Sequence, residues 1–303
     1  MTIALTGATG FVGRAILDLA QAESVPVKAL TRRPQARRES VEWIEGSLSD
    51  ADSLTQLCEG ASAIIHVAGL TSSHDVAEFS AANVEGTRLL LDAAQDAQSR
   101  RLIFVSSLSA REPALSAYGA SKAQAEALVE QSGLDWTIVR PPGVYGPRDV
   151  DYFEMFRSAR HGVIPLPPRG ASSIIHVEDL ARLLLALVDA PANLVRHRLF
   201  EPDDGREGGW SHDELARAIG GAVGRRVFAP HLPRPMMEIA ARADRLLRGD
   251  KARLTPDRVG YMAHPNWVAR FDRKVPQEVW TPRIESQEGL KSTVEWYREA
   301  GWL

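Results

Sequence analysis

Met1-Thr2-Ile3-Ala4-Leu5-Thr6-Gly7-Ala8-Thr9-Gly10-Phe11-Val12-Gly13-Arg14 opens the chain. An apolar run meets three glycines at i, i+3 and i+6, and helical periodicity follows. That order predicts a strand, a tight glycine turn and a helix start, the arrangement by which a βαβ unit grips a dinucleotide. Gly7 lets the chain turn sharply off the strand. Gly10, lacking a Cβ, lets a diphosphate approach the backbone N–H groups and the positive end of the helix. Gly13 lets the helix pack close to the sheet. A glycine triplet alone would also suit an ordinary turn, so the rest of the chain has to decide.

Working outward, composition sets the bounds. At 303 residues, 44% hydrophobic and 25% charged, the chain has the make-up of a globular protein with ample core. Its formal net charge of -3 gives no reason to expect nucleic acid as a partner. Cys58 is the single cysteine, which excludes an intramolecular disulfide and a cysteine-cluster metal centre. No metal site is expected. The first apolar run ends at a glycine turn and not at a cleavage site, so no signal peptide is expected and a reducing cytoplasm is. Leu180 to Val188 contains Arg182 and is too short to span a bilayer.

Strand and helix signals alternate along the first half of the chain. Strands are expected at Val25 to Leu30, Val41 to Glu45, Ala63 to Val67, Arg101 to Val105 and Trp136 to Arg140. Helices are expected after the first glycine turn, from Asn83 to about Gln98, and from near Ser116. Ala68-Gly69 closes the fourth strand with a second glycine turn, and His66 reads as a packed strand residue. Beyond Gly146-Pro147 the rhythm breaks into a short helix over Phe153 to Arg160, a proline-rich loop, and Ile174-Ile175-His176 as a strand returning to the sheet. A helix over Val177 to Val188, one capped by Ser211 and an Arg-rich amphipathic helix near Met236 to Leu247 follow. The prediction is an α/β, doubly wound parallel sheet (a Rossmann fold) with a smaller C-terminal substrate-binding lobe. Residues 1–148, with 172–202 returning, would form the dinucleotide-binding domain, and 149–171 with 203–303 the lobe.

Two clusters carry chemistry. After the second strand stands Thr31-Arg32-Arg33, where a dinucleotide fold meets the adenosine ribose. An acid there would suit the 2′-hydroxyl of NAD, whereas arginines suit the 2′-phosphate of NADP. NADP(H) is therefore the expected cofactor, with NAD(H) the alternative. Tyr118 and Lys122 lie four apart on one helix, hence on one face. A phenol titrates near 10, too high for a base at neutral pH, and an ammonium one turn away favours the phenolate. Such a tyrosine can pass a proton to or from a carbonyl or hydroxyl oxygen. Ser106-Ser107, at a strand end facing the same crevice, could hold that oxygen.

Taken in order, these features resemble the short-chain dehydrogenase/reductase superfamily, in its extended branch of NAD(P)-dependent epimerases, dehydratases and reductases. The matching stretches are Thr6 to Gly13, Asn83-Val84-Glu85-Gly86-Thr87, Val105-Ser106-Ser107, Tyr118-Gly119-Ala120-Ser121-Lys122, Arg140 to Pro147 and Ile175 to Leu180. The resemblance implies Tyr118 as acid/base, Lys122 as holder of the nicotinamide ribose and tuner of Tyr118, and Ser107 as catalytic hydroxyl beside Ser106. It implies cofactor contacts from Gly7, Thr9, Gly10, Phe11, Val12, Gly13, Thr31, Arg32, Arg33, Ser47, Leu48, Val67, Ala68, Gly69 and Asn83. Pro141, Pro142, Gly143 and Val144 would line the nicotinamide. Ser47 departs from the pattern, since many relatives place there an aspartate that binds the adenine amino group.

Three functions compete: an NADP(H)-dependent reductase or dehydrogenase, a nucleotide-sugar epimerase or dehydratase with tightly bound NAD, and a non-catalytic dinucleotide-binding protein. The Tyr118–Lys122 pair disfavours the last. Sugar-nucleotide enzymes of this branch usually carry Asn where Gly143 stands, and the stretch Arg140 to Pro147 resembles the 3β-hydroxysteroid dehydrogenase and dihydroflavonol reductase side. The expected partner is a small carbonyl or alcohol, lipid- or steroid-like, handled by a monomer or homodimer. The Met236 to Leu247 helix reads as a lid, with contact to a membrane surface as the lesser alternative.

Overall fold

The computed structural model describes residues 2–99, 101–249, 252 and 254–303; Met1 of the opening stretch lies outside them. In chain order the first elements are β1 (Ile3–Thr6), α1 (Phe11–Ala22), β2 (Val27–Thr31), β3 (Val41–Glu45), α2 (Ala51–Cys58) and β4 (Ala63–His66). Then come α3 (Val76–Phe79), α4 (Gly86–Asp96), β5 (Arg101–Val105), α5 (Ala117–Gln131), β6 (Asp135–Val139), β7 (Gly143–Tyr145), α6 (Phe153–Arg160), β8 (Ala171–Ser172) and β9 (Ile174–His176). The remainder is α7 (Val177–Asp189), α8 (Ala192–Val195), β10 (Arg198–Phe200), β11 (Trp210–Ser211), α9 (His212–Val223), α10 (Arg234–Arg248), α11 (Pro256–Met262), β12 (Asn266–Trp267) and α12 (Ser286–Glu299).

Two compact units result. The first comprises Met1–Arg140, Leu180–Glu201 and Val275–Thr281; the second Pro141–Asp179, Pro202–Lys274 and Pro282–Leu303. Residues 141–148, 172–179 and 202, expected from sequence with the dinucleotide-binding part, lie in the second unit, and 275–281, expected with the lobe, lie in the first.

The first unit holds a seven-stranded sheet in the order β10-β6-β5-β4-β1-β2-β3, parallel throughout. Every residue of β1 and β4 is buried, as central parallel strands covered on both faces require. From β1 the chain winds outward through β2 and β3, then returns to β4 and winds the other way. The switch lies between β1 and β4, and in open parallel sheets ligands bind outside the carboxyl ends of the strands at such a point. Leu54, Leu57, Ile64, Leu90 and Phe104 anchor the core there, each fully buried. Cys58 belongs to the same cluster, and burial pushes its thiol up to about 12, so it packs as a small hydrophobe.

Two expectations are corrected. Ile174–His176 does not rejoin the main sheet. As β9 it pairs in parallel with β7, Gly143 against Ile174 and Tyr145 against His176. The seventh place, beside β6, is taken by β10, whose three residues are too few to show a strand period. The helix expected to open at Asn83 begins earlier: α3 runs into a π-helical turn over Ser80–Glu85, which feeds α4. The wider turn buries Asn83, and π-turns mark functional positions often enough to be followed up.

In the second unit, β11, β8 and β12 form a small mixed sheet, and α6, α9 and α12 enclose a core of Tyr145, Phe156, Ile219, Leu290 and Tyr297. Ser211 caps α9 in a reciprocal capping box with Glu214. Met237 and Ala241 of α10 pack on Val259 of α11.

Gly13 tests the close packing of α1 on its turn, because a Cβ there would run into the Gly7 carbonyl oxygen and the Ala8 Cα. Gly221, exposed on α9, has open space around it. Gly13→Ala should destabilise the protein by about 1–3 kcal/mol, while Gly221→Ala should stabilise it by roughly 0.5–1 kcal/mol. Chemical denaturation followed by circular dichroism reads both; equal effects would remove the packing constraint at Gly13.

Candidate active site

The glycine turn joins the end of β1 to the start of α1. Gly7 stands at φ +72° and a Cβ on it would strike the Ala68 backbone, so the carboxyl ends of β1 and β4 approach closely only through glycine. Gly10 N–H donates to the Gly7 carbonyl at 3.0 Å and forms the N-terminal boundary of α1, where no side chain caps the helix. By contrast Asp50, Ser116 and Ser211 cap α2, α5 and α9. The first N–H groups of α1, around Phe11, Val12 and Gly13, therefore have neither intrahelical nor side-chain acceptors. With the helix dipole behind them, these donors suit an anion, and the residues present fit a dinucleotide diphosphate. Thr9 and Gly10 are exposed beside them.

At the end of β2, the Thr31 hydroxyl donates to the Arg33 carbonyl at 2.7 Å and accepts from the Arg33 N–H, closing a local turn. That turn holds Arg32 and Arg33 out in solvent, and neither forms an ion pair with a described residue. Arg38, further on, is engaged by Asp18 and Gln21. Past β3, the Ser47 and Ser49 hydroxyls meet at 2.9 Å, and Leu48 packs against Gly86, where a Cβ would not fit. Val67 and Ala68 are half-buried and Gly69 is exposed at the end of β4.

Asn83 is 1% exposed, with both ends of its amide engaged inside the protein. Oδ1 accepts from Leu70 N–H at 2.7 Å, and Nδ2 donates to the Leu70 carbonyl and to the Ser121 hydroxyl, each at 2.9 Å. Ser121 donates in turn to the Tyr118 carbonyl at 2.8 Å. Asn83 thus joins the loop after β4 to the helix that carries Tyr118.

That helix, α5, starts at Ser116, whose hydroxyl accepts from Gly119 N–H at 2.9 Å. Gly119 is required because a Cβ would press on the Ser109 carbonyl. Tyr118 is half-buried with its ring beside Phe79, centroids 6.1 Å apart. One turn on, Lys122 is 4% exposed and donates from Nζ to the Val105 carbonyl at 2.8 Å, over the face of Phe104 at 4.3 Å. Burial pulls its ammonium down to about 8, opposed by the charge of Glu126. Ser107 caps a short 3-10 turn over Leu108–Arg111, accepting from Ser109 N–H at 3.2 Å.

Ser106 has a different job. Its hydroxyl donates to Glu126, which also takes a two-pronged contact from Arg140 at 2.8 and 2.6 Å. Glu201 lies against Arg140 and Arg111 at 3.7 and 3.4 Å and is 1% exposed. Buried charges persist only when paired in this way. Glu126 and its cluster went unremarked in the sequence, although an acid four residues after Lys122 falls on the same helix face. Pro141, Pro142, Gly143 and Val144 belong to the second unit. There a Cβ on Gly143 would overlap the Tyr152 hydroxyl. Among the described residues no cluster of His, Cys, Asp and Glu has the make-up of a metal site.

Comparison with known proteins decides the family. A family model described as NAD(P)H-binding matches residues 7–191. The chain is 34% identical over 314 residues to the ceramide reductase of Caulobacter vibrioides, covering 99% of this chain and 96% of that protein.

The chain belongs to the extended short-chain dehydrogenase/reductase family.

As a member of that family it is an NAD(P)-dependent enzyme. The crystal structure of gox2253 has the same fold, with a TM-score of 0.79 at 23% identity, over 100% of this chain and 99% of that one. So does UDP-glucose 4-epimerase from Thermotoga maritima, with a TM-score of 0.72 at 20% identity, over 99% of each chain. The described residues include no helix long and apolar enough to cross a membrane.

The buried ammonium makes a prediction independent of substrate. In protein labelled with ¹³C-lysine, one Cε resonance, absent from Lys122→Met, should titrate near 8. Glu126→Gln should move it lower still, since the carboxylate favours the charged form. A Lys122 that titrates with the surface lysines would show that the ammonium is not buried as described.

Proposed function

We propose that this enzyme reduces a ketone on a hydrophobic, ceramide-like lipid to the alcohol, with NADP(H) as an exchangeable cofactor. The observation that carries the catalytic reading is the pairing of half-buried Tyr118 with buried Lys122 on α5, beside the strand end that holds Ser107. Reduced nicotinamide, when bound, supplies a hydride. The chain's own residues supply the rest. The N-terminus of α1 seats the diphosphate, and Lys122 holds the nicotinamide ribose. Ser107 orients the carbonyl oxygen by a hydrogen bond. Tyr118 Oη gives its proton to that oxygen as charge develops on it, and the Lys122 cation stabilises the phenolate left behind.

Arg32 and Arg33, exposed and without an ion pair to a described residue, support NADP(H) over NAD(H), because a bidentate guanidinium matches a 2′-phosphate. The ceramide substrate class rests on the relative from Caulobacter vibrioides, similar along almost the whole chain. The competing sugar-nucleotide reading draws on structural likeness to epimerases at about one residue in five identical. Against it stands Gly143: the asparagine that such enzymes place there has no room beside Tyr152.

Tyr118→Phe should lower turnover of an oxo-ceramide, followed as loss of NADPH absorbance, by at least about 100-fold, with the Kd for NADPH nearly unchanged. Unchanged rates would take Tyr118 out of the chemistry. Arg32→Ala should raise the Kd for NADPH about 10-fold or more while leaving NADH within about two-fold. An equal loss for both cofactors would undo the assignment of the 2′-phosphate.

A further inference from the structure

The α10 helix has two apolar sides. Met237 and Ala241 form the inner one and pack on Val259 of α11. At 100° per residue, Met236, Ile239, Ala243, Leu246 and Leu247 fall on a separate stripe well away from that inner face. This outer stripe lies in solvent: Met236 is 53% exposed, Ile239 64%, Leu246 87% and Leu247 86%. Long apolar side chains gathered on one exposed face call for a partner.

The charges beside the stripe say which partner. Four arginines, at 234, 242, 245 and 248, stand against Glu238 and Asp244, so α10 carries 4 − 2 = +2 within a chain of net charge -3. Arg234 is paired with Glu238 and Arg248 with Asp244. Arg242 and Arg245 are exposed and form no ion pair with a described residue. Arg242 borders the apolar stripe directly. A second copy of the chain, docked stripe to stripe across a two-fold axis, would bring Arg242 onto its own counterpart. An acidic, apolar surface would not.

We propose that α10 lies in the interface of an anionic lipid bilayer, with Met236, Ile239, Leu246 and Leu247 among the acyl chains, Arg242 on the phosphates, and the net positive charge of the helix drawing it to the surface. An amphipathic helix with an exposed apolar stripe, an arginine at its border and a net positive charge has this mode of attachment. The attachment spans nothing and holds on to the surface reversibly. It stands apart from the catalytic reading and would hold for a water-soluble substrate as well.

Co-sedimentation of the full chain with vesicles tests it. The protein should pellet with phosphatidylcholine vesicles containing phosphatidylglycerol at low salt, and remain in the supernatant with pure phosphatidylcholine. Leu246→Asp with Leu247→Asp, and separately Arg242→Glu with Arg245→Glu, should each lower the partition coefficient about 10-fold or more. Both should leave the circular dichroism spectrum and NADPH binding as they are. Failure of the unaltered protein to bind anionic vesicles at low salt would overturn the proposal, as would undiminished binding by both pairs of variants. A dimer in sedimentation velocity that Leu246→Asp with Leu247→Asp disperses would give the stripe to a second copy instead.

Discussion

His66 sits between two hydroxyls, and the geometry of the site depends on it. Thr87 donates its proton to the Asn83 carbonyl at 2.6 Å, so the same hydroxyl can only accept from His66 Nε2 at 3.0 Å. Nδ1 is then the bare nitrogen and accepts from Thr6 at 2.6 Å, leaving the Thr6 oxygen to accept from Ala68 N–H at 3.1 Å. The ring is neutral, as its burial first and the nearby Lys122 cation second require, both pulling its pKa down to about 3. From Asn83 the chain of donors continues through Ser121 to the Tyr118 carbonyl. One directed hydrogen-bond relay thus connects the end of β1, the end of β4, the π-helical turn and the helix that carries Tyr118. Each side chain in it both donates and accepts, with the direction of every bond fixed by its neighbours, which leaves the network a single arrangement.

That relay fixes distances that packing alone would leave soft. Gly7 brings β1 against Ala68, Thr6 locks the approach, and the uncapped end of α1 rises from the same turn. Lys122 completes the arrangement from the other side, tied to the end of β5 through Val105. A cation in such surroundings is costly, and it titrates near 8 because Glu126 offsets part of that cost. Glu126 is itself held by Ser106 and Arg140, and Arg140 lies against Glu201. The charge on Lys122 is therefore set by a cluster whose members come from α5, the ends of β5 and β6, and the residue after β10.

Much of this was legible in the residues. The alternation of continuous apolar runs with helical periods identified a parallel sheet, because buried parallel strands leave no polar face to mask the signal. The glycine turn and Tyr118–Lys122 were readable because their chemistry demands particular residues at fixed spacing. The misreadings have equally physical origins. Ile174–His176 has the composition of a central strand, but its partner was decided by β7 in the second unit, which local sequence does not reveal. Arg198–Phe200 is too short for periodicity, and takes its place in the sheet through Phe200 and the backbone of Arg140. The widened turn over Ser80–Glu85 has no sequence period of its own. The hydrogen bonds of the Asn83 amide to Leu70 and Ser121 depend on how the loop after β4 meets α5, which no local pattern shows. The tie of Ser106 to Glu126 likewise depends on where α5 meets β5.

The central claim is that the glycine turn and the Tyr118–Lys122 helix form one exchangeable NADP(H) site. Native mass spectrometry of protein purified without added cofactor addresses it most directly. The account predicts an empty site or bound NADP, either of which takes up one NADPH per chain and releases it on dilution. One NAD per chain, retained through dialysis and not displaced by NADPH, would contradict it.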